Sequence, residues 1–143
     1  MALPDPLTRR HFQQLARMHL QAARTLIAGK RWQSAYHIAG HAVECGLKAC
    51  IAKQTRRHVF PPKTARDLYT HDLNALLRLP ALDGEQLKES QQSPAFSANW
   101  ATAKDWTPES RYDLTIPEQS ARDIYKAITA QQNGVMRWIR QRW

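Results

Sequence analysis

Glycine is scarce in this chain, five residues in 143, and cysteine is scarcer, with two. Few glycines beside 43% hydrophobic residues exclude an intrinsically disordered chain. Two cysteines exclude a small scaffold stapled by disulfides. Cys45 and Cys50 are five positions apart in one helical pattern, a turn and a half, and are wrongly directed to bridge. Both are expected as buried or half-buried free thiols, which fits a reducing compartment. No apolar run is long enough to span a membrane, and Met1–Arg10 lacks the apolar stretch of a signal peptide. A cytoplasmic location with no membrane partner is therefore expected. No segment shows the alternation of a half-buried strand, and no repeat or linker divides residues 1–143, about one domain's worth of chain.

Acidic residues are nearly missing from the first half. Met1–Arg66 holds 12 Lys and Arg against Asp5 and Glu44 alone; Asp67–Trp143 holds 9 against 10. The whole net charge of +9 thus belongs to the first half, a pattern that suits a side facing a polyanion.

What is present is helical periodicity. Asp5-Pro6 starts a first helix running to about Ala28, with Phe12, Leu15, Ala16, Ala22, Ala23 and Leu26 on one face. Arg10, Gln14, Arg17, Gln21 and Arg24 line the opposite face, and His19 falls in the apolar one, where a hydrogen-bonded core residue is expected. Gly29 ends this helix, and the short link predicts an antiparallel hairpin with a second helix over about Arg31–Arg56. Its buried stripe is Trp32, Ala35, Tyr36, Ala39, Ala42, Val43, Gly46, Leu47 and Cys50. Phe60-Pro61-Pro62-Lys63 marks a loop. A short helix follows from about Thr70, with Leu73, Leu76 and Leu77 inward. Another starts at Asp83 and continues, itself or as a second piece from Ser93, to about Asp105. Thr115 and Glu118 form a capping box for a last helix to the C-terminus, with Ala121, Ile124, Tyr125, Ile128, Val135, Trp138 and Ile139 in the core. The expected fold is all-α, an up-and-down four- or five-helix bundle.

Four constellations bear on chemistry. His37, His41 and Glu44 share one face of the second helix, a spacing compatible with zinc. No fourth ligand is implied, and the trio reads better as a polar face in which Glu44 pairs with Lys48; no metal and no cofactor are expected. Arg66 and His71, four residues between them, have the residue types of a metal-free RNase, imidazole moving protons and guanidinium stabilising phosphate charge. Trp100, Lys104, Trp106, Arg111 and Tyr112 interleave aromatics with bases, as in stacking on nucleobases; the tryptophans are equally good core plugs. Arg10, Arg17 and Arg24 offer a basic stripe.

The segment Ala35-Tyr36-His37-Ile38-Ala39-Gly40-His41-Ala42-Val43-Glu44-Cys45-Gly46-Leu47-Lys48-Ala49 closely resembles the second-helix signature of bacterial HEPN (higher eukaryotes and prokaryotes nucleotide-binding) proteins, roughly Ala-Tyr-Tyr-x-Ala-Gly-Tyr-Ala-Val-Glu-Cys-Ala-Leu-Lys-Ala. Phe60-Pro61, Thr70-His71-Asp72-Leu73, Trp100, the Trp106–Tyr112 segment and Val135–Ile139 resemble later pieces of one subgroup in the same order. The resemblance implies a helical bundle, usually a homodimer. It also implies, for many relatives, partnership with a minimal nucleotidyltransferase in a two-gene toxin–antitoxin module. Other relatives are metal-independent RNases carrying Arg, four to six residues, then His before the last long helix. Counting from Arg111, those positions here are Ile116, Pro117 and Glu118, and no histidine follows His71. The expected function is accordingly binding of RNA or a nucleotide through Arg111, Tyr112, Lys104 and His71, with Glu44 and Lys48 orienting the cleft and Arg10, Arg17 and Arg24 adding affinity. The alternatives are an RNase toxin using His71 and Arg66, or a non-catalytic protein-interaction subunit.

Overall fold

The computed structural model of the chain describes residues 7–55, 58 and 70–143. Among them every regular element is helical, an all-α bundle as expected. The Asp5-Pro6 start, Arg56, the Phe60–Lys63 loop and Arg66 lie outside the described residues.

Helix α1 spans Arg9–Ala28 and is capped by Thr8, whose side chain accepts from the His11 amide while the His11 ring takes the Thr8 amide. Gly29 closes it, Lys30 takes the left-handed conformation (φ 57°), and α2 starts two residues on, at Trp32–Lys53. The helical hairpin follows from that tight turn. Helix α3, Leu73–Arg78, is capped by Asp72, which accepts from the amides of Asn74 and Ala75 at 2.9 and 3.2 Å. Helices α4 (Asp83–Gln92) and α5 (Pro94–Lys104) are separate, split at Ser93, which caps α5 through the Phe96 amide with Pro94 in the first turn. A 3-10 helix, Pro108–Tyr112, precedes α6 (Glu118–Thr129) and α7 (Val135–Arg140).

Two sequence expectations give way. Thr115 does not cap α6: its amide and hydroxyl both bond Asp113, and Pro117 occupies the cap position without a side-chain bond. The last helix is not continuous: Asn133 (φ 61°) and Gly134 break it, and the turn is tied to α5 by Asn99 donating to the Asn133 carbonyl at 2.9 Å.

Helix α2 is the hub, packing on α1, α3, α6, α7 and the 3-10 helix. Ala16 and Ala23 on α1 meet Ala39 and Ala42 on α2 in one fully buried cluster, so the two backbones lie close. Gly40 is covered by the Trp106 indole: a Cβ there would sit 2.2 Å from the ring. Both cysteines are free and buried. Trp32 and Tyr36, assigned to the core by pattern, are only half-buried, Trp32 lying under the Arg122 guanidinium, 5.1 Å from the ring centre.

Candidate functional site

The site grows from one residue. Glu44 is a carboxylate in the middle of the hub helix with 0% exposure, where an unpaired charge is strongly disfavoured. Three cationic or protonatable groups meet it. His41, one turn earlier, brings Nδ1 to 2.6 Å from Oε2; Lys48, one turn later, has Nζ 3.8 Å from Oε1; and His71, just ahead of α3, makes a short Nδ1 hydrogen bond to Oε1. The His41 contact is an ion pair off the line of a well-directed hydrogen bond, and among the described residues Oε2 has no other donor. Helical spacing delivers His41 and Lys48; the cap at Asp72 fixes the chain direction that delivers His71.

A row of imidazoles extends from this centre. The His19 ring, from α1, lies 4.8 Å from that of His41, and the His37 ring lies 6.3 Å from it, nearly parallel. His37 also packs on Trp106 at 5.9 Å, and its Nδ1 is 3.3 Å from the Ser110 hydroxyl. Gln33 donates to the Ser110 carbonyl at 2.8 Å. These two contacts fasten the 3-10 helix to α2 and so place Arg111, whose guanidinium stacks on Tyr112 at 4.7 Å.

Electrostatics differentiate the row. Burial opposes ionisation of Glu44, yet the His41 contact, the Lys48 charge and the His71 hydrogen bond hold its carboxyl below the usual value. His41 is pushed up to about 10, by its contact with the Cys45 sulfur and by Glu44. His19 and His37 move down: burial disfavours their charged forms, the neighbouring His41 adds to this, and Arg111 adds further at His37. A cationic His41 is therefore favoured beside two imidazoles, His19 and His37, whose neutral forms are favoured.

The structure brings some of the expected residues together and not others. Glu44, Lys48 and His71 meet directly; Arg111 and Tyr112 join them by way of His37. Lys104 lines a different depression, with Asn74, Gln86, Ser90 and Trp100. Arg10, Arg17 and Arg24 are exposed along α1, with Arg17 stacked on the Trp143 ring at 5.0 Å. Of the aromatic cluster, Trp100 and Trp106 are buried core plugs, which removes them as stacking platforms, while Tyr112 is 73% exposed. The polar-face reading of His37, His41 and Glu44 is corrected in one respect: Glu44 does approach Lys48, but it is wholly buried and pairs more closely with His41 and His71. His41 is the central residue that sequence reasoning passed over. Its spacing to Glu44 was visible; the contact of Glu44 with His71, 27 residues further on, was not.

The chain matches no family model, no curated protein and no solved structure.

Proposed function

We propose that this chain is a HEPN-like helical protein that binds RNA or a nucleotide-bearing partner without efficient RNA turnover. In this reading it acts in the cytoplasm as one component of a two-gene, toxin–antitoxin-type system beside a nucleotidyltransferase. The observation that carries it is the local charge balance: the single carboxylate of Glu44 faces both Lys48 and a protonated His41, and Arg111 lies within electrostatic reach of His37. Such grouped cations suit a phosphate, and the acid-free α1 offers more of them. A phosphate needs only such clustered cations; efficient cleavage also needs a positioned acid or base, and the histidine expected after Arg111 is missing.

One observation favours the RNase alternative. The His71 ring is 55% exposed, and its Nδ1 is held by the buried carboxylate of Glu44, an arrangement that orients an imidazole for proton transfer at Nε2. A metal-free incubation with labelled RNA separates the two. Expected is binding that weakens as salt rises, with no cleavage. Robust cleavage lost in His71→Ala overturns the binding reading in favour of an RNase.

The reading includes a homodimer. The side chains of Tyr112 and Leu114, the latter 92% exposed, offer apolar surface beside the site. Light scattering over a wide dilution range checks this, and a monomer at high concentration refutes it.

A further inference from the structure

We propose that His19, His41 and Cys45 form a binding site for a zinc ion between α1 and α2, with the carboxylate of Glu44 orienting His41 from behind. The inference does not depend on the proposed function: zinc displaces the proton from His41 Nε2, and the charge of the ion then replaces that of the imidazolium. It departs from the sequence expectation of no metal, which weighs only the trio His37, His41 and Glu44; there His37 is bonded to Ser110, and Glu44 is held by His71 and His41.

Helical geometry assembles the donors. His41 and Cys45 are one turn apart on α2, and the His41 Nε2 stands 3.9 Å from the Cys45 sulfur. Phe12, Ala16, His19 and Ala23 recur at helical spacing on the face α1 turns toward α2, so His19 arrives opposite that turn. The small buried residues Ala16, Ala23, Ala39 and Ala42 bring the helices close enough for donors on both to converge. One ligating atom from each of His19, His41 and Cys45 lies within 4.8 Å of the others. Tetrahedral zinc with bonds of about 2.0–2.3 Å sets donor separations of about 3.4–3.6 Å, so the His41–Cys45 pair has to close by about 0.3 Å and the widest pair by at most about 1.4 Å.

Two further features point to a metal rather than to chance packing. The two ring nitrogens of His41 divide their roles: Nδ1 is 2.6 Å from the buried carboxylate, and Nε2 faces the sulfur. A carboxylate behind the ligating ring is the usual support of a metal-bound histidine, fixing its tautomer and orientation. Cys45 is buried, while the His41 side chain is 36% exposed, so the site has a dry thiol side and an open side for entry. Thiolate with two imidazoles is a donor set for zinc rather than for magnesium or calcium. Three protein ligands leave a fourth position for water or an incoming group.

The test uses the full chain. Metal content is measured after purification in zinc-containing buffer without chelator, and cobalt(II) is titrated into the chelator-stripped protein as a spectroscopic stand-in. Expected are one zinc per chain, a thiolate-to-cobalt charge-transfer band, and intense visible bands of tetrahedral cobalt. Both signals are lost in His19→Ala and Cys45→Ser and kept in Cys50→Ala, which changes the thiol outside the trio. In wild type, zinc is expected to slow alkylation of Cys45 at least tenfold, located by peptide mapping. That measurement stands even if a substitution perturbs folding. Substoichiometric zinc together with no thiolate band at excess cobalt overturns the proposal, as does a band that survives Cys45→Ser or zinc that leaves Cys45 alkylation unchanged.

Discussion

A single carboxylate organises the interior of this molecule. Glu44 has 0% exposure and is tolerated there because Lys48 and His71 meet one oxygen and His41 the other. Removing it strands protonatable groups that were arranged around it. Glu44→Ala is expected to lower stability by about 3–5 kcal/mol, the usual loss when one partner of a buried ion pair is deleted. Urea unfolding checks this, and a loss of the size seen for surface substitutions shows that the cluster is not coupled. The cluster also sets a pH dependence for the chelator-treated protein. His41 is raised from 6.5 to about 10, so its contribution is complete below pH 6.5 and fades as pH rises toward 10. Cys50, raised by burial from 9.0 to about 12, adds a loss of the same sign only above pH 9. His19, His37 and Glu44 are shifted down, so their contributions are lost toward acid and are constant above pH 6.5. Stability is therefore expected to fall between pH 6.5 and 9 in wild type and to stay nearly level there in His41→Gln, as followed by urea midpoints. A level wild-type profile in that interval contradicts the His41 assignment.

Elements show where packing overrides pattern. Gly40 and Gly84 are both helical glycines, but their surroundings differ: Gly40 lies under Trp106, and Gly84 has nothing within 4 Å of a notional Cβ. Gly40→Ala is expected to destabilise by at least 1–3 kcal/mol, roughly the range for overpacking, because a fixed indole has to move. Gly84→Ala is expected to stabilise by about 0.4–1 kcal/mol by restricting the unfolded chain. Thermal unfolding of the two variants should shift in opposite directions, and a shared sign contradicts the contact. The hairpin of α1 and α2 was legible because its apolar positions recur at helical spacing and Gly29 punctuates it. The break between α6 and α7 was not, although Asn133-Gly134 is a turn signal. Ile128 and Val135 are seven residues apart, so the core pattern runs across the break as if the helix did. Likewise Thr115 has the spacing of a cap, but Asp113 takes both its amide and its hydroxyl at 2.9 and 2.5 Å. Candidate-site residues followed the same divide: contacts within α2 could be read from spacing, whereas His19 and His71 reach the cluster through tertiary packing.

At the scale of the whole molecule, α1 carries four of the twelve Lys and Arg of the first half, Arg9, Arg10, Arg17 and Arg24, and no acidic residue. The cluster around Glu44 takes its cations from α2, with His71 ahead of the α3 cap and Arg111 from the 3-10 helix. A polyanion that used both regions would release counterions in proportion to the phosphates each neutralises, and single-stranded RNA loses about 0.7 in the slope of log affinity against log salt per contact. Neutralising Arg10, Arg17 and Arg24 to glutamine is therefore expected to reduce that slope by about 2, three contacts at about 0.7 each, while Arg111→Ala reduces it by about 0.7. Arg17 also stacks on the Trp143 ring at 5.0 Å, so the triple variant is expected to lose about 0.5–1 kcal/mol of stability from that contact. Urea unfolding separates this from the binding effect, and Arg10→Gln with Arg24→Gln alone avoids it. Filter binding of an unstructured RNA across a salt series reads the slopes. A triple variant with the wild-type slope removes α1 from the interface, and an unchanged slope in Arg111→Ala removes the 3-10 helix. A wild-type protein whose affinity ignores salt refutes electrostatic recognition altogether, leaving the exposed Tyr112 and Leu114 as surface for a protein partner.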